Sequence, residues 1–180
     1  FVRTNGIIDI GQDTVDSGAT SDVVGGIFLN GGNNTADTTL RILTSGDNVR
    51  FNGAVELQGG VTITTNFNDS TNAADQALGG NILFTDNASI NSQGDGTDVS
   101  EDNDLRLLAG TGNISFNADI GNRANAGNFN GQLGDFVVEN TTGSVTFGGA
   151  DVEDTPADLG PVNFVRTNGI IDIGQDTVDS

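Results

Sequence analysis

The seventeen residues FVRTNGIIDIGQDTVDS occur twice, at Phe1–Ser17 and again, letter for letter, at Phe164–Ser180. The spacing between them, 163 residues, is therefore a period. Internal periodicity constrains a fold strongly, because each copy must present the same surfaces to its neighbours. The expected organisation is one full repeat over residues 1–163, with residues 164–180 opening the next copy of a longer tandem array. Identity without drift points to recent duplication or continual recombination between copies.

Smaller units recur inside the period. LRILTSGDNVRFNGAV (Leu40 to Val55) aligns without gaps to LRLLAGTGNISFNADI (Leu105 to Ile120), with six of sixteen positions identical. Three of the exchanges are apolar for apolar: Ile42/Leu107, Val49/Ile114 and Val55/Ile120. DFVVENTTGSVTFGGADV (Asp135 to Val152) repeats the shape, and NFVRTNGIIDIG (Asn163 to Gly174) repeats it with a tighter turn. Each unit holds two short alternating segments joined by Gly, Asn, Thr or Ser. Alternation at period two is the mark of a strand, and Asn and Gly suit tight corners because they accept positive φ. No stretch combines a 3.6-residue apolar period with helix caps, so the chain is expected to be all-β.

Two β architectures fit such segments. A sandwich would place hairpin turns about every 8–12 residues; a solenoid would repeat at coil length, about 20–45 residues. The offset between Leu40 and Leu105 is 65 residues, which divides into three coils of roughly 22. Phe51, Phe116 and Phe147 fall at one position of the motif and should stack inside as a ladder, with Leu40 and Leu105 also inward. The expected fold is a parallel β-solenoid (β-helix) of about seven or eight coils per repeat, advancing about 35–40 Å per copy at roughly 4.8 Å per strand. Exposed loops rich in Asp, Asn, Gly and Ala, and mostly acidic, are expected at Asp13 to Asp22, Phe67 to Asp75, Asp95 to Asp104, Asn122 to Gly134 and Asp151 to Asp158. The repeat junction should be built by Phe1, Ile7 and Ile10 with their counterparts Phe164, Ile170 and Ile173. The two identical segments should follow one backbone path.

The units TGNISFNADIG, SGDNVRFNGAV and TTGSVTFGGAD resemble the repeats of giant bacterial surface proteins of the filamentous-haemagglutinin-like adhesin class. The resemblance covers most of the chain through short strand motifs. It implies a right-handed parallel β-helix and a long stalk, extracellular or on the cell surface.

Composition narrows the chemistry. His, Cys, Lys, Met, Trp and Tyr are all absent, and the six cations are all Arg. That removes nucleophilic triads, thiol chemistry, Schiff bases and zinc sites. Paired carboxylates remain, but they fall in Gly/Asn-rich tracts without the Trp and Tyr platforms of a sugar groove, so no enzyme is expected. The net charge of −19 repels nucleic acid and anionic membranes, whose binding needs Lys and Arg, and attracts cations. Leu, Ile, Val and Phe supply 49 of the 180 residues, more than disordered chains carry.

Calcium is the one ion worth weighing, because it takes six to eight oxygen ligands. The candidates are Asp95, Asp98, Asp102 and Asp104 in GDGTDVSEDND, with Asp151 and Asp154 in GGADVED. Asn103 and Ala109 stand where an EF-hand requires Gly and Glu, so the loop is not an EF-hand. A solvated acidic loop remains the plainer alternative. Arg3, Arg41, Arg50, Arg106 and Arg166 each follow Val or Leu in a strand and should point outward.

These features lead to a structural role: a segment of a long extracellular or cell-surface fibre whose partner is an adjacent identical repeat. Backbone pairing, an apolar interior ladder, and amide or hydroxyl ladders at the turns would hold it. The alternative is an adhesin stalk or module binding glycans or other surface ligands through its loops.

Overall fold

A computed structural model describes residues 2–11, 25–29, 39–67, 78–93, 103–121, 131–148, 165, 167 and 169–175. In chain order the strands among them are β1 (Val2–Thr4), β2 (Ile8–Ile10), β3 (Ile27–Leu29), β4 (Leu40–Thr44), β5 (Val49–Phe51), β6 (Val55–Leu57) and β7 (Val61–Thr64). They continue with β8 (Ile82–Phe84), β9 (Ile90–Ser92), β10 (Leu105–Gly110), β11 (Ile114–Phe116), β12 (Phe136–Thr141), β13 (Val145–Phe147) and β14 (Ile171–Gln175).

The strands form three sheets, ordered β1-β4-β7-β10-β12-β14, β2-β5-β8-β11-β13 and β3-β6-β9. Every strand ladder in them is parallel. No two strands adjacent in sequence pair with each other. The chain lays one strand on the first sheet, one on the second and one on the third, then returns to the first beside the strand it left. A parallel pair needs a crossover of a dozen or more residues, and here the other two faces provide it. The fold is a parallel β-solenoid.

Because most strands alternate inward and outward residues, pairing in register converts the sequence pattern into columns; in β4 Ile42, Leu43 and Thr44 are all buried. On the first sheet one inward column runs Leu40, Val61, Leu105, Phe136, Ile171, and the next runs Val2, Ile42, Ile63, Leu107, Val138, Ile173. On the second sheet they are Ile8, Val49, Ile82, Ile114, Val145 and Ile10, Phe51, Phe84, Phe116, Phe147. The third sheet adds Ile27, Val55, Ile90, extended by bridges to Ile120 and Val165. Residues of all three sheets meet in one apolar core. Each large side chain fully buried there contributes roughly 1.5–3 kcal/mol.

The number of turns differs from the sequence expectation. The six strands of the first sheet bound five turns, not seven or eight. Equal coils of roughly 22 residues are the wrong division, because Leu40 pairs with Val61, 21 residues on, and Val61 with Leu105, 44 residues on. The offset between Leu40 and Leu105 is thus two turns. Connections of very different length leave the corners while the strand spacing stays fixed, and five turns advance only about 24 Å.

Phe147 takes its expected place in the ladder, stacked on Phe116, and as the last rung it is 39% exposed. One further expectation changes. The stretch Asn122 to Gly134, assigned to an exposed loop, ends in buried structure: Gln132 and Leu133 are both buried, and Leu133 bridges Thr167. Residues 122–130 lie outside the described residues.

Candidate functional site

The feature most able to do work in this molecule is the set of columns that join one turn to the next. Four units share a corner between the first and second sheets: Asp47-Asn48-Val49-Arg50-Phe51, Gly80-Asn81-Ile82-Leu83-Phe84, Gly112-Asn113-Ile114-Ser115-Phe116 and Gly143-Ser144-Val145-Thr146-Phe147. Each of their three kinds of position makes a different contact with the turn above.

The phenylalanines form a ladder. Ring centroids lie 4.9 Å apart from Phe51 to Phe84, 5.3 Å from Phe84 to Phe116 and 5.1 Å from Phe116 to Phe147, with planes within 11° of parallel. Phe136 crosses from the first sheet and meets Phe116 edge-on at 5.5 Å. Aromatic pairs of this kind add roughly 0.5–1.5 kcal/mol beyond the area they bury.

The asparagines form a second column. The backbone N–H of Asn81 donates to Asn48 Oδ1 at 2.7 Å, that of Asn113 to Asn81 Oδ1 at 2.8 Å, and that of Ser144 to Asn113 Oδ1 at 2.8 Å. In the opposite direction the N–H groups of Val49, Ile82 and Ile114 donate to the carbonyls of Asn81, Asn113 and Ser144. Corner backbone that no strand ladder serves is thereby satisfied from the next turn.

The glycines make the third column by lacking a side chain. A Cβ on Gly80, Gly112 or Gly143 would overlap the backbone of Asp47, Gly80 or Gly112 respectively. Only glycine lets backbone pack on backbone here. Just inside the corner, Thr65 Oγ1 donates to the Gly80 carbonyl at 2.7 Å, fully buried.

A carboxylate column marks the corner that leads into the first sheet. Asp135 N–H donates to Asp104 Oδ1 at 2.7 Å, and Ile170 N–H donates to Asp135 Oδ1 at 2.9 Å. At the exit of the second sheet the buried Asn52 ties three turns together. Its Nδ2 donates to the Gly11 carbonyl at 2.8 Å, and its Oδ1 accepts from Thr85 Oγ1 at 2.7 Å and Asn87 Nδ2 at 3.1 Å.

Outside the core, charges pair between turns. Arg50 Nη1 reaches Asp9 Oδ2 at 3.4 Å, from directly paired positions. Arg106 Nε donates to Glu139 Oε1 at 2.7 Å, and its Nη2 contacts the same oxygen. Arg3 lies over the Phe67 ring, 4.8 Å from its centroid, a cation–π contact.

The residues singled out from sequence fall as follows. Phe51, Phe116 and Leu105 are buried, and Leu40 is partly buried against the core. Among the junction residues, Ile10 is partly buried against the core, Ile173 ends its column 45% exposed, and Ile7 and Ile170 are 65% and 63% exposed. Phe1 and Phe164 lie outside the described residues, as do Asp95, Asp98, Asp102, Asp151, Asp154 and Arg166. Asp104, the one described residue of the calcium set, is the acceptor at the start of the carboxylate column. Among the described residues no group of three or more acidic side chains is placed to hold a metal ion.

Sequence reading anticipated amide ladders at the turns, which the asparagine column provides, but named none of its residues, and it missed Phe84 and Asn52. The signal was present: GGNILF shares Gly, Asn, an aliphatic residue and Phe with TGNISF at the same spacing. No family model, curated protein or solved structure matches this chain, so the geometry of the columns is what carries the functional reading.

Proposed function

We propose that this chain is a segment of a structural fibre, built by stacking identical solenoid repeats end to end at an extracellular or cell-surface location. One observation carries the reading. The strand ladders and the inward apolar columns are ones that a further turn can extend, and the residues exposed at the end of those columns are apolar: Phe147, Ile171 and Ile173. An unpaired strand edge backed by exposed apolar side chains invites another strand. The sequence supplies one, because the strand Ile171–Gln175 belongs to a segment identical to Phe1–Ser17. The acidic surface keeps a long assembly soluble, and its resemblance to adhesin-class stalk repeats agrees with a location outside the cell.

Polypeptides carrying two, three and four tandem 163-residue copies test this by small-angle X-ray scattering. Maximum length should rise linearly, by about 22 Å per copy at roughly 4.8 Å per strand spacing, with a constant cross-section. A particle that thickens as copies are added would reject the fibre.

A further inference from the structure

The duplicated segment does not return to the face on which it began. Val2, Arg3 and Thr4 pair with Ile42, Leu43 and Thr44 in the first sheet. Val165, the counterpart of Val2, instead bridges Ile120 on the third-sheet column. Ile8, Asp9 and Ile10 pair with Val49, Arg50 and Phe51 in the second sheet, whereas Ile171, Asp172 and Ile173 pair with Phe136, Val137 and Val138 in the first. Both parts of the segment have stepped back by one face. From the first sheet of the first turn to the third-sheet column of the fifth, the chain makes four full turns and passes two further faces.

The local role of each residue survives the step. Ile8 and Ile10 pack against the core in register with Val49 and Phe51, and Ile171 and Ile173 take the corresponding register over Phe136 and Val138, where they form the open end of their columns and are 51% and 45% exposed. Ile7 and Ile170 stand exposed just before those strands. The step is tolerated because each of the three faces offers an inward aliphatic column, so Val165 seats on Ile120 as Val2 seats on Ile42. Beside a register shift between Val138 and Glu139, the step interrupts a side-chain column. Ile170 does this: its N–H takes the Asp135 carboxylate, and its own side chain offers no acceptor to a following turn.

Resting on the tandem-fibre reading, we propose that each copy binds the next one rotated by one face, about a third of a turn, and advanced by about 22 Å along the axis. The partner of the last turn is then a second copy of this chain whose Val2–Thr4 strand extends the third sheet and not the first. Any given outward residue faces three directions in three successive copies. Rotational register returns only after three copies, fourteen turns or about 67 Å.

Disulfide trapping in the full chain reads the step directly, since the protein has no cysteine of its own. Neighbouring parallel strands lie about 4.8 Å apart, within the Cα separation that a disulfide spans. Val137→Cys with Asp172→Cys should close under mild oxidation at least ten times faster than Thr146→Cys with Asp172→Cys, scored by intact mass. As an independent pair, Ile120→Cys with Val165→Cys should outrun Val138→Cys with Val165→Cys. Faster closure of the Thr146 and Val138 pairs would mean that the copy keeps its face, overturning the rotation while leaving end-to-end stacking intact. Closure of none of the four, in variants that retain the β circular dichroism of the parent, would show that the second copy is not seated on the last turn. Both readings would then fall.

Discussion

Phe84 lies flat against Phe51, with centroids 4.9 Å apart and planes 8° from parallel, although 33 residues of chain separate them. Their strands pair in register, so the stacking is a consequence of turn length being absorbed outside the sheet. Whatever the connections do, the two rings arrive one strand spacing apart.

Removing a ring from the middle of this ladder should cost far more than removing one from its end. Phe84→Ala is expected to lower unfolding stability by about 3–5 kcal/mol, the range for a buried Phe. Phe147→Ala, at the exposed end, should lower it by about 1–2 kcal/mol, since only part of the ring's area is removed from water. Urea titrations followed by circular dichroism measure both. Equal losses would contradict the interior placement of Phe84.

The asparagine column makes a prediction about single amides. Asn81→Ala deletes the acceptor of the Asn113 N–H at a corner open to water, so the loss should be about 0.5–1.5 kcal/mol. Hydrogen exchange at the Asn113 amide should accelerate roughly two- to tenfold. Asn81→Asp keeps the oxygen and should leave that amide protected. Identical exchange in Ala and Asp variants would mean that the side chain carries no rung.

Glycine tolerance should differ sharply with position. A Cβ at Gly112 meets the Gly80 carbonyl, whereas one at Gly25 meets nothing within 4 Å. Gly112→Ala should therefore cost about 3 kcal/mol or more, at the upper end of overpacking effects. Gly25→Ala should change stability by less than about 0.5 kcal/mol. Thermal melts of the two variants side by side decide it, and a tolerated Gly112→Ala would refute backbone-on-backbone packing at the corner.

The pair between Arg50 and Asp9 should matter less than its conspicuous geometry suggests. Its side chains retain 19% and 22% of their accessibility, and partly exposed pairs contribute about 0–1 kcal/mol. Arg50→Gln should stay within that loss, and the difference from the parent should shrink in 1 M salt. A larger, salt-independent loss would show that the outer face is part of what locks the turns.

The sequence made the strands visible because inward residues alternate with polar ones in almost every unit, as in Val49-Arg50-Phe51 and Ile114-Ser115-Phe116. What it concealed is where turns begin. One turn spends 21 residues between Leu40 and Val61, the next 44 between Val61 and Leu105, and the 65-residue offset between the matching units, divided into three equal coils, hides two unequal turns. Phe84 escaped for the same reason, since a long tract separates β8 from β7 and the sixteen-residue frame that aligns Leu40 with Leu105 does not reach it. Leu133, in a stretch of Asn, Gly and Ala, has the composition of a loop. It is buried because Thr167 of a later turn pairs beside it, a contact that local pattern cannot carry.

A helical reconstruction from electron micrographs of a polypeptide with many tandem copies tests the central claim, that identical solenoid repeats stack end to end. The account predicts a strand spacing of about 4.8 Å, an advance of about 22 Å per 163-residue copy, and a rotation near one third of a turn, with register restored about every 67 Å. An advance of about 35–40 Å, corresponding to seven or eight turns, or copies that do not share a continuous axis, would contradict it.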